Sequence, residues 1–92
     1  MTEYYIVRSK TGCPHCVIAK EALASRGIEY VEEIYDDFEE RQLMYDQLGL
    51  EGGDRTVPQV TLVKDYGKIR MNQQIGGAAA LVEHLEEKEA FA

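Results

Sequence analysis

The chain has 92 residues, enough for one domain spanning residues 1–92 and too few for a second module. Its 45% hydrophobic and 29% charged residues have the balance of a globular protein, which argues against a disordered chain. The formal net charge of −7 repels phosphate groups, so we expect no binding to nucleic acid or to an anionic membrane surface.

The sequence shows no targeting signal. The first residues, Met1–Tyr5, lack the basic stretch followed by an apolar stretch that marks a secretory leader. The longest apolar run, Ala78–Val82, is far shorter than the roughly 20 residues that a membrane-spanning helix needs. We therefore expect a cytoplasmic protein whose thiols are kept reduced, and we separately expect a monomer. In such a chain two close cysteines indicate catalysis or metal binding rather than a structural disulfide.

Strand and helix patterns alternate along the chain. Runs of aromatic and β-branched residues predict strands, and apolar residues at helical spacing predict helices. In chain order, the patterns predict a strand at Tyr4–Arg8, a helix from Pro14 to a stop at Gly27, a strand within Glu29–Tyr35, a helix capped by Asp37 and ending near Leu48–Gly49, a strand at Gln59–Lys64, a turn at Asp65–Gly67, a strand at Ile69–Asn72 and a helix at Ala78–Glu89.

The order β-α-β-α-β-β-α predicts an α/β fold. The first two strands are joined through a helix and should be parallel, whereas the last two should form a hairpin. We expect Leu81, Val82 and Leu85 to lie inward and Met44 and Met71 to fill the core; Leu43 and Leu48 are further apolar residues of the second predicted helix.

Two cysteines stand where a predicted strand gives way to a helix, in the motif Cys13-Pro14-His15-Cys16. Free backbone N–H groups and the helix dipole at that position stabilise a thiolate. A pair of this kind can have a cysteine pKa lowered from about 8.5 to roughly 3.5–7.5, and the thiolate is the form that attacks disulfides. We therefore predict Cys13 as an exposed nucleophile and Cys16, one helical turn later, as the more buried resolving thiol.

Two other interpretations of the pair are weaker. The first is that two buried cysteines are close by chance. A chance pair would rarely have both the Cys-Pro-His-Cys spacing and the position between a strand and a helix. A structural zinc site needs four ligands, and the remaining candidates are only His15 and the distant His84, so we expect no metal site. His15 either favours the thiolate through its charge or is an exposed spacer.

With these motifs the chain resembles the glutaredoxins of the thioredoxin-like superfamily. The resemblance runs nearly end to end and depends on three segments in order: Ser9–Cys16, then Thr56-Val57-Pro58, then Gly76-Gly77 before the last helix. It implies a thioredoxin-like fold, with a four-stranded mixed sheet flanked by three helices. It also implies a thiol–disulfide oxidoreductase with a redox-active Cys13–Cys16 disulfide and no permanently bound cofactor.

The resemblance further implies glutathione as co-substrate. Pro58 corresponds to a cis-proline against the disulfide, and the backbone of Thr56 and Val57 would pair with glutathione as with an added strand. Lys10 matches a lysine near the glycine carboxylate, and the start of the last helix would bind the γ-glutamyl carboxylate. The implied glutathione-binding residues are Lys10, His15, Thr56, Val57, Pro58, Gly77, Ala78 and Ala79.

The chain departs from the glutaredoxin pattern in two places. Ala78 and Ala79 stand where many members have a polar residue and an aspartate that holds the amino group of glutathione. His15 replaces the usual aromatic residue, and a Pro-His spacer is typical of more oxidising members of the superfamily. We therefore predict a reduction potential above that of thioredoxin, for which the value is about −270 mV. Equilibration of the protein against a glutathione redox buffer measures this potential.

These features leave three functional hypotheses. The first is a glutathione-dependent oxidoreductase that acts on disulfide-bearing proteins or glutathione mixed disulfides. The second is a thioredoxin-like electron donor to a reductase such as ribonucleotide reductase, which Ala78 and Ala79 favour. The third is a metal or iron–sulfur binding module, against which Pro14 argues, because cluster-holding glutaredoxins usually lack that proline.

An acidic stretch from Glu32 to Glu40 precedes and begins the second helix. We interpret it chiefly as a solvated strand end and helix start, because acidic groups stabilise a helix N-terminus. A docking surface for a basic partner is the alternative. Arg41 on this helix is a further candidate for binding a ligand carboxylate.

Overall fold

The computed structural model describes residues 2–90. It contains four strands and three helices in the predicted order: β1 (Thr2–Ser9), α1 (Pro14–Ala24), β2 (Tyr30–Ile34), α2 (Phe38–Gln47), β3 (Gln59–Asp65), β4 (Arg70–Gly76) and α3 (Ala78–Ala90). One turn of 3-10 helix, Gly52–Asp54, lies between α2 and β3.

The four strands form one mixed sheet in the order β2-β1-β3-β4. Strand β1 is parallel to β2, with Val7 opposite Glu32, and antiparallel to β3, with Val7 opposite Val60. Strands β3 and β4 form the predicted antiparallel hairpin, with an irregularity in register between Val60 and Thr61. The thioredoxin-like fold implied by the resemblance is thus confirmed.

The main core lies between the sheet and helices α1 and α3. Residues of β1 and β3 that alternate along the strands meet apolar side chains of the two helices, as expected for a sheet with one covered face. This cluster comprises Tyr5, Val7, Ala19, Ala22, Leu23, Val60, Leu62, Ala78, Leu81 and Leu85. Helix α2 buries Met44 and Tyr45 outside this cluster.

Local signals in the sequence explain where the elements begin and turn. Asp37 caps α2 as predicted, because its carboxylate accepts a hydrogen bond from the Glu40 N–H at 3.0 Å. In the β3–β4 turn the Gly67 N–H donates to the Asp65 carboxylate at 2.8 Å, and Gly67 adopts φ +88, which favours glycine. Helix α1 ends at Ala24, three residues before the predicted stop at Gly27.

The last strand differs from the prediction. Strand β4 begins at Arg70 and continues to Gly76, whereas the pattern indicated Ile69–Asn72. It is an edge strand paired only with β3, and its residues from Asn72 to Gln74 are polar and exposed, so hydrophobicity carried no signal there.

One residue expected in the core and one apolar residue of the second predicted helix are exposed. Met71 is 57% exposed because it lies on the open edge strand β4. Leu43 is 60% exposed, while the next residue of α2, Met44, is buried. Leu43 lies about 150° around the helix from the midpoint between Met44 and Tyr45, the two buried residues of α2, so its side chain faces away from the buried side. Among the helices of residues 2–90, none is long and apolar enough to cross a membrane.

Candidate functional site

The cysteine pair lies at the start of α1, joined in a disulfide with a Cα–Cα distance of 5.2 Å. Cys13 has an extended backbone and is the residue that caps α1, with Pro14 in the first turn. The Cys16 N–H donates to Cys13 Sγ at 3.1 Å. The same backbone donor can stabilise a Cys13 thiolate after reduction, which supports the predicted role of Cys13 as nucleophile.

Burial distinguishes the two sulfurs less than the sequence indicated. Cys13 is 9% exposed and Cys16 is 2% exposed. The expectation of an exposed Cys13 is therefore wrong for this oxidised form, although Cys13 remains the more accessible residue. The physical reason is that the disulfide and the neighbouring Val57 carbonyl cover its sulfur.

The Thr56-Val57-Pro58 loop lies beside this disulfide. The Val57 carbonyl oxygen is 3.8 Å from Cys13 Sγ, and the Val57–Pro58 peptide bond is cis, as the resemblance implied. Pro58 is buried, and the Gln59 amide donates to the Thr56 carbonyl at 2.8 Å, which holds the loop from behind. Within residues 2–90 no backbone hydrogen bond of a loop or turn uses the N–H or C=O of Val57. That residue therefore offers a donor and an acceptor to an extended ligand.

The start of α3 contacts the same loop. Gly76 adopts φ +118, a conformation that favours glycine, and turns the chain from β4 into α3. A Cβ atom at Gly77 would lie 3.8 Å from the Pro58 carbonyl oxygen, so the two backbones run close together. Ala78 is buried and Ala79 is exposed at the first turn of the helix. The fold thus brings together three segments that are distant in the sequence.

Lys10 and His15 are placed on different sides of the pair. Lys10 is exposed and lines a groove of about 450 Å³ together with Cys13, Pro14 and Cys16. His15 is also exposed, but it lines a separate groove with Ala78 and Ala79. The structure therefore places His15 near the start of α3 and Lys10 away from it.

The Lys10 groove also contains a carboxylate of the acidic stretch, which the sequence indicated only as part of a solvated strand end. Glu32 of β2 accepts a hydrogen bond from the buried Ser9 hydroxyl at 2.9 Å and pairs with Lys20 at 2.8 Å. The Lys20 ammonium and the Ser9 hydroxyl hold the pKa of Glu32 below its usual value, and Glu32 raises the pKa of Lys20. One signal was available, since Lys20 lies four residues after Cys16 and thus on the same side of α1.

A second unpredicted contact fixes the loop before Cys13. The Asp36 carboxylate accepts from the Thr11 N–H at 2.7 Å and from the Thr11 hydroxyl at 2.6 Å. These hydrogen bonds lower the pKa of Asp36. Part of the acidic stretch is therefore a clamp on the loop, in addition to a solvated helix start.

The Arg41 guanidinium, a candidate for binding a ligand carboxylate, is engaged in contacts within the chain. Its guanidinium donates to the carbonyl of Tyr35 at 2.8 Å and lies over the Phe38 ring at 5.8 Å. Within residues 2–90 no three His, Cys, Asp or Glu side chains are grouped so that they could hold a metal ion.

Comparison with known proteins adds to this geometry. A family model described as Glutaredoxin matches residues 5–66. A crystal structure of glutaredoxin 1 from Francisella tularensis, complexed with cacodylate, superposes with a TM-score of 0.73 at 26% identity, covering 97% of this chain and 99% of that one. No protein of curated function matches the chain by sequence.

Two further structures share the fold at lower identity. A buckwheat glutaredoxin–glutathione complex matches with a TM-score of 0.66 at 23% identity, over 94% of this chain and 71% of that one. A glutaredoxin from Brucella melitensis matches with a TM-score of 0.60 at 24% identity, over 91% of this chain and 79% of that one.

Proposed function

Because this chain belongs to the glutaredoxin family and is a thiol–disulfide oxidoreductase, we propose that glutathione is the reductant that restores its Cys13–Cys16 dithiol. The observation that carries the proposal is the Val57 carbonyl at 3.8 Å from Cys13 Sγ, on a loop whose backbone faces the reactive sulfur. An extended tripeptide bound along Val57 would have its own sulfur within reach of Cys13.

The start of α3 supports the same ligand. Its first backbone N–H groups lie next to the Pro58 loop and suit an anion such as the γ-glutamyl carboxylate. Lys10 offers a cation to the other end of the tripeptide from the opposite side of the disulfide. Ala78 and Ala79 supply no side-chain partner, so backbone groups make this contact alone.

The reaction then follows in balanced steps. The Cys13 thiolate attacks one sulfur of a substrate disulfide, forms a mixed disulfide and releases the other sulfur as a thiolate that takes up a proton. The Cys16 thiol loses its proton and attacks Cys13 Sγ. This attack forms the Cys13–Cys16 disulfide and releases the second substrate thiol. Two glutathione molecules reduce this disulfide to the dithiol and are themselves oxidised to glutathione disulfide.

One feature favours a second candidate, a dithiol donor reduced by a thioredoxin reductase. Ala78 and Ala79 leave the amino group of glutathione without a side-chain acceptor at α3. Such a donor would pass its electrons to disulfide-bearing proteins, ribonucleotide reductase being one example.

A comparison of electron sources tests the proposal. Reduction of bis(2-hydroxyethyl) disulfide is followed with glutathione, glutathione reductase and NADPH, and separately with thioredoxin reductase and NADPH. We expect turnover with glutathione and at most a small fraction of that rate with thioredoxin reductase. Turnover with thioredoxin reductase alone would reject glutathione dependence and establish the second candidate.

A further inference from the structure

A groove of about 410 Å³ runs between α1 and α3 on one side of the disulfide. We call it the acidic groove and define it by His15, Ile18, Ala79, Val82, Glu83 and Glu86. It begins at His15, between the two cysteines, and continues along α3 beyond the first turn. It therefore extends past the backbone N–H groups assigned above to the γ-glutamyl carboxylate.

The acidic groove has an apolar floor and a charged rim. Ile18 is 47% exposed and Val82 is half-buried, so hydrocarbon surface is open to a partner. Glu83 and Glu86 are exposed, and among the ion pairs of residues 2–90 none involves either of them. Two uncompensated carboxylates beside apolar surface suit a segment that carries both an apolar and a basic side chain.

The opposite side of α1 has the reverse character. The mean direction of His15 and Ile18 is about 150° around the helix from that of Cys16 and Lys20, since each residue turns the helix by about 100°. The groove on that other side contains Lys10 and Lys20, the latter paired with Glu32. The disulfide thus lies at a boundary between an acidic and a basic surface.

We propose that the acidic groove is a docking surface for disulfide-bearing polypeptides that carry a Lys or Arg and an apolar residue next to the reactive cysteine. The inference rests on the proposed function and narrows its substrate class. Beyond the first turn of α3 the acidic groove does not suit glutathione, because a glutathione carboxylate there would meet Glu83 and Glu86, and glutathione has no apolar side chain for Ile18 and Val82. A basic polypeptide gains from both parts of the groove.

Two matched peptides test the docking surface. Both have the same length and one cysteine in a mixed disulfide with 2-mercaptoethanol; one has Lys and Leu beside the cysteine, the other Glu and Leu. We expect kcat/KM to be about fivefold or more higher for the lysine peptide at low ionic strength, since two exposed ion pairs contribute about that factor. The preference should fall towards one in 1 M salt.

Paired variants separate the groove from the general acidity of the chain. The double substitution Glu83→Gln and Glu86→Gln preserves side-chain shape and should remove most of the lysine preference. The control Glu39→Gln and Glu40→Gln removes the same charge from exposed positions on α2 and should keep it. A third variant, Ile18→Ser, makes the floor of the groove polar. It should lower kcat/KM more for the lysine peptide than for the same peptide with Gly in place of Leu.

The outcomes distinguish the two levels of the proposal. Equal kcat/KM for the two peptides, or an unchanged preference in the Glu83/Glu86 variant, would overturn the docking surface while glutathione-driven turnover continues. Failure to reduce either peptide or bis(2-hydroxyethyl) disulfide with glutathione would instead reject the proposed function.

Discussion

The two cysteines have different surroundings, and that difference supports the roles proposed for them. Cys13 caps α1, receives the Cys16 N–H and lies 3.8 Å from the Val57 carbonyl oxygen. Cys16 is buried inside the first turn of the helix. A thiolate is favoured at the first position, and access from solvent is least at the second. This arrangement supports the proposal that Cys13 attacks and Cys16 resolves.

A second residue pair far from the disulfide couples stability to pH. The Tyr5 hydroxyl and His84 Nε2 are 3.0 Å apart, and their rings meet edge to face. Burial lowers the pKa of His84, and the Lys88 and Lys64 ammonium groups lower it further, while Glu87 and Glu3 act in the opposite direction. The folded protein therefore disfavours the protonated imidazole.

This shift predicts a loss of stability in weak acid. As the pH falls below about 6.5, His84 takes up a proton more readily in the unfolded chain than in the folded one, so the free energy of unfolding decreases. Urea denaturation at pH 7.5 and 5.5 measures the change. The variant His84→Gln, which retains an acceptor for Tyr5, should show a smaller loss; an equal loss in the variant would contradict the assignment to His84.

Among the elements, the connection between β2 and α2 has two neighbouring aspartates with separate tasks. Asp36 accepts from the Thr11 N–H and hydroxyl and thereby fixes the loop that leads to Cys13. Asp37 accepts from the Glu40 N–H and caps α2. Adjacent acidic residues thus act on different elements.

Amide hydrogen exchange distinguishes these two tasks. The substitution Asp36→Ala should accelerate exchange at the Thr11 amide, because its acceptor is lost, and leave the Glu40 amide protected. The matched substitution Asp37→Ala should do the reverse and cost about 1 kcal/mol of unfolding free energy, a typical value for a helix cap. Faster exchange at both amides in either variant would show that the two aspartates act as one unit.

The whole molecule assembles the site from distant parts of the chain. Helix α1 supplies the disulfide, the start of β3 supplies the cis-proline loop, and the turn from β4 into α3 lies against that loop. Pairing of β3 with β1 and with β4 brings these three segments to one end of the sheet, since Arg8 lies opposite Gln59 and Gly76 lies opposite Val60. The enzyme activity is thus a property of the complete fold.

Much of this was predictable from residue patterns. The element order, the cap at Asp37 and the hairpin turn follow from local signals, and the resemblance supplied the cis-proline. The length of β4 was not predictable, since an exposed edge strand with Asn72, Gln73 and Gln74 has no hydrophobic alternation. The Asp36–Thr11 and Glu32–Lys20 contacts join elements that are distant in sequence. Composition alone therefore indicated only that Asp36 and Glu32 are solvated. The glutathione-binding residues and the cytoplasmic location stay predictions.

The central claim is that Cys13 is the nucleophile and that glutathione is its partner. The chain contains two cysteines, so single serine variants isolate each one. After incubation with glutathione disulfide, mass spectrometry of the Cys16→Ser variant should show one glutathione adduct, located on Cys13, and the Cys13→Ser variant should show almost none. An adduct that forms equally fast on Cys16 in the Cys13→Ser variant, or no adduct on Cys13, would contradict the account.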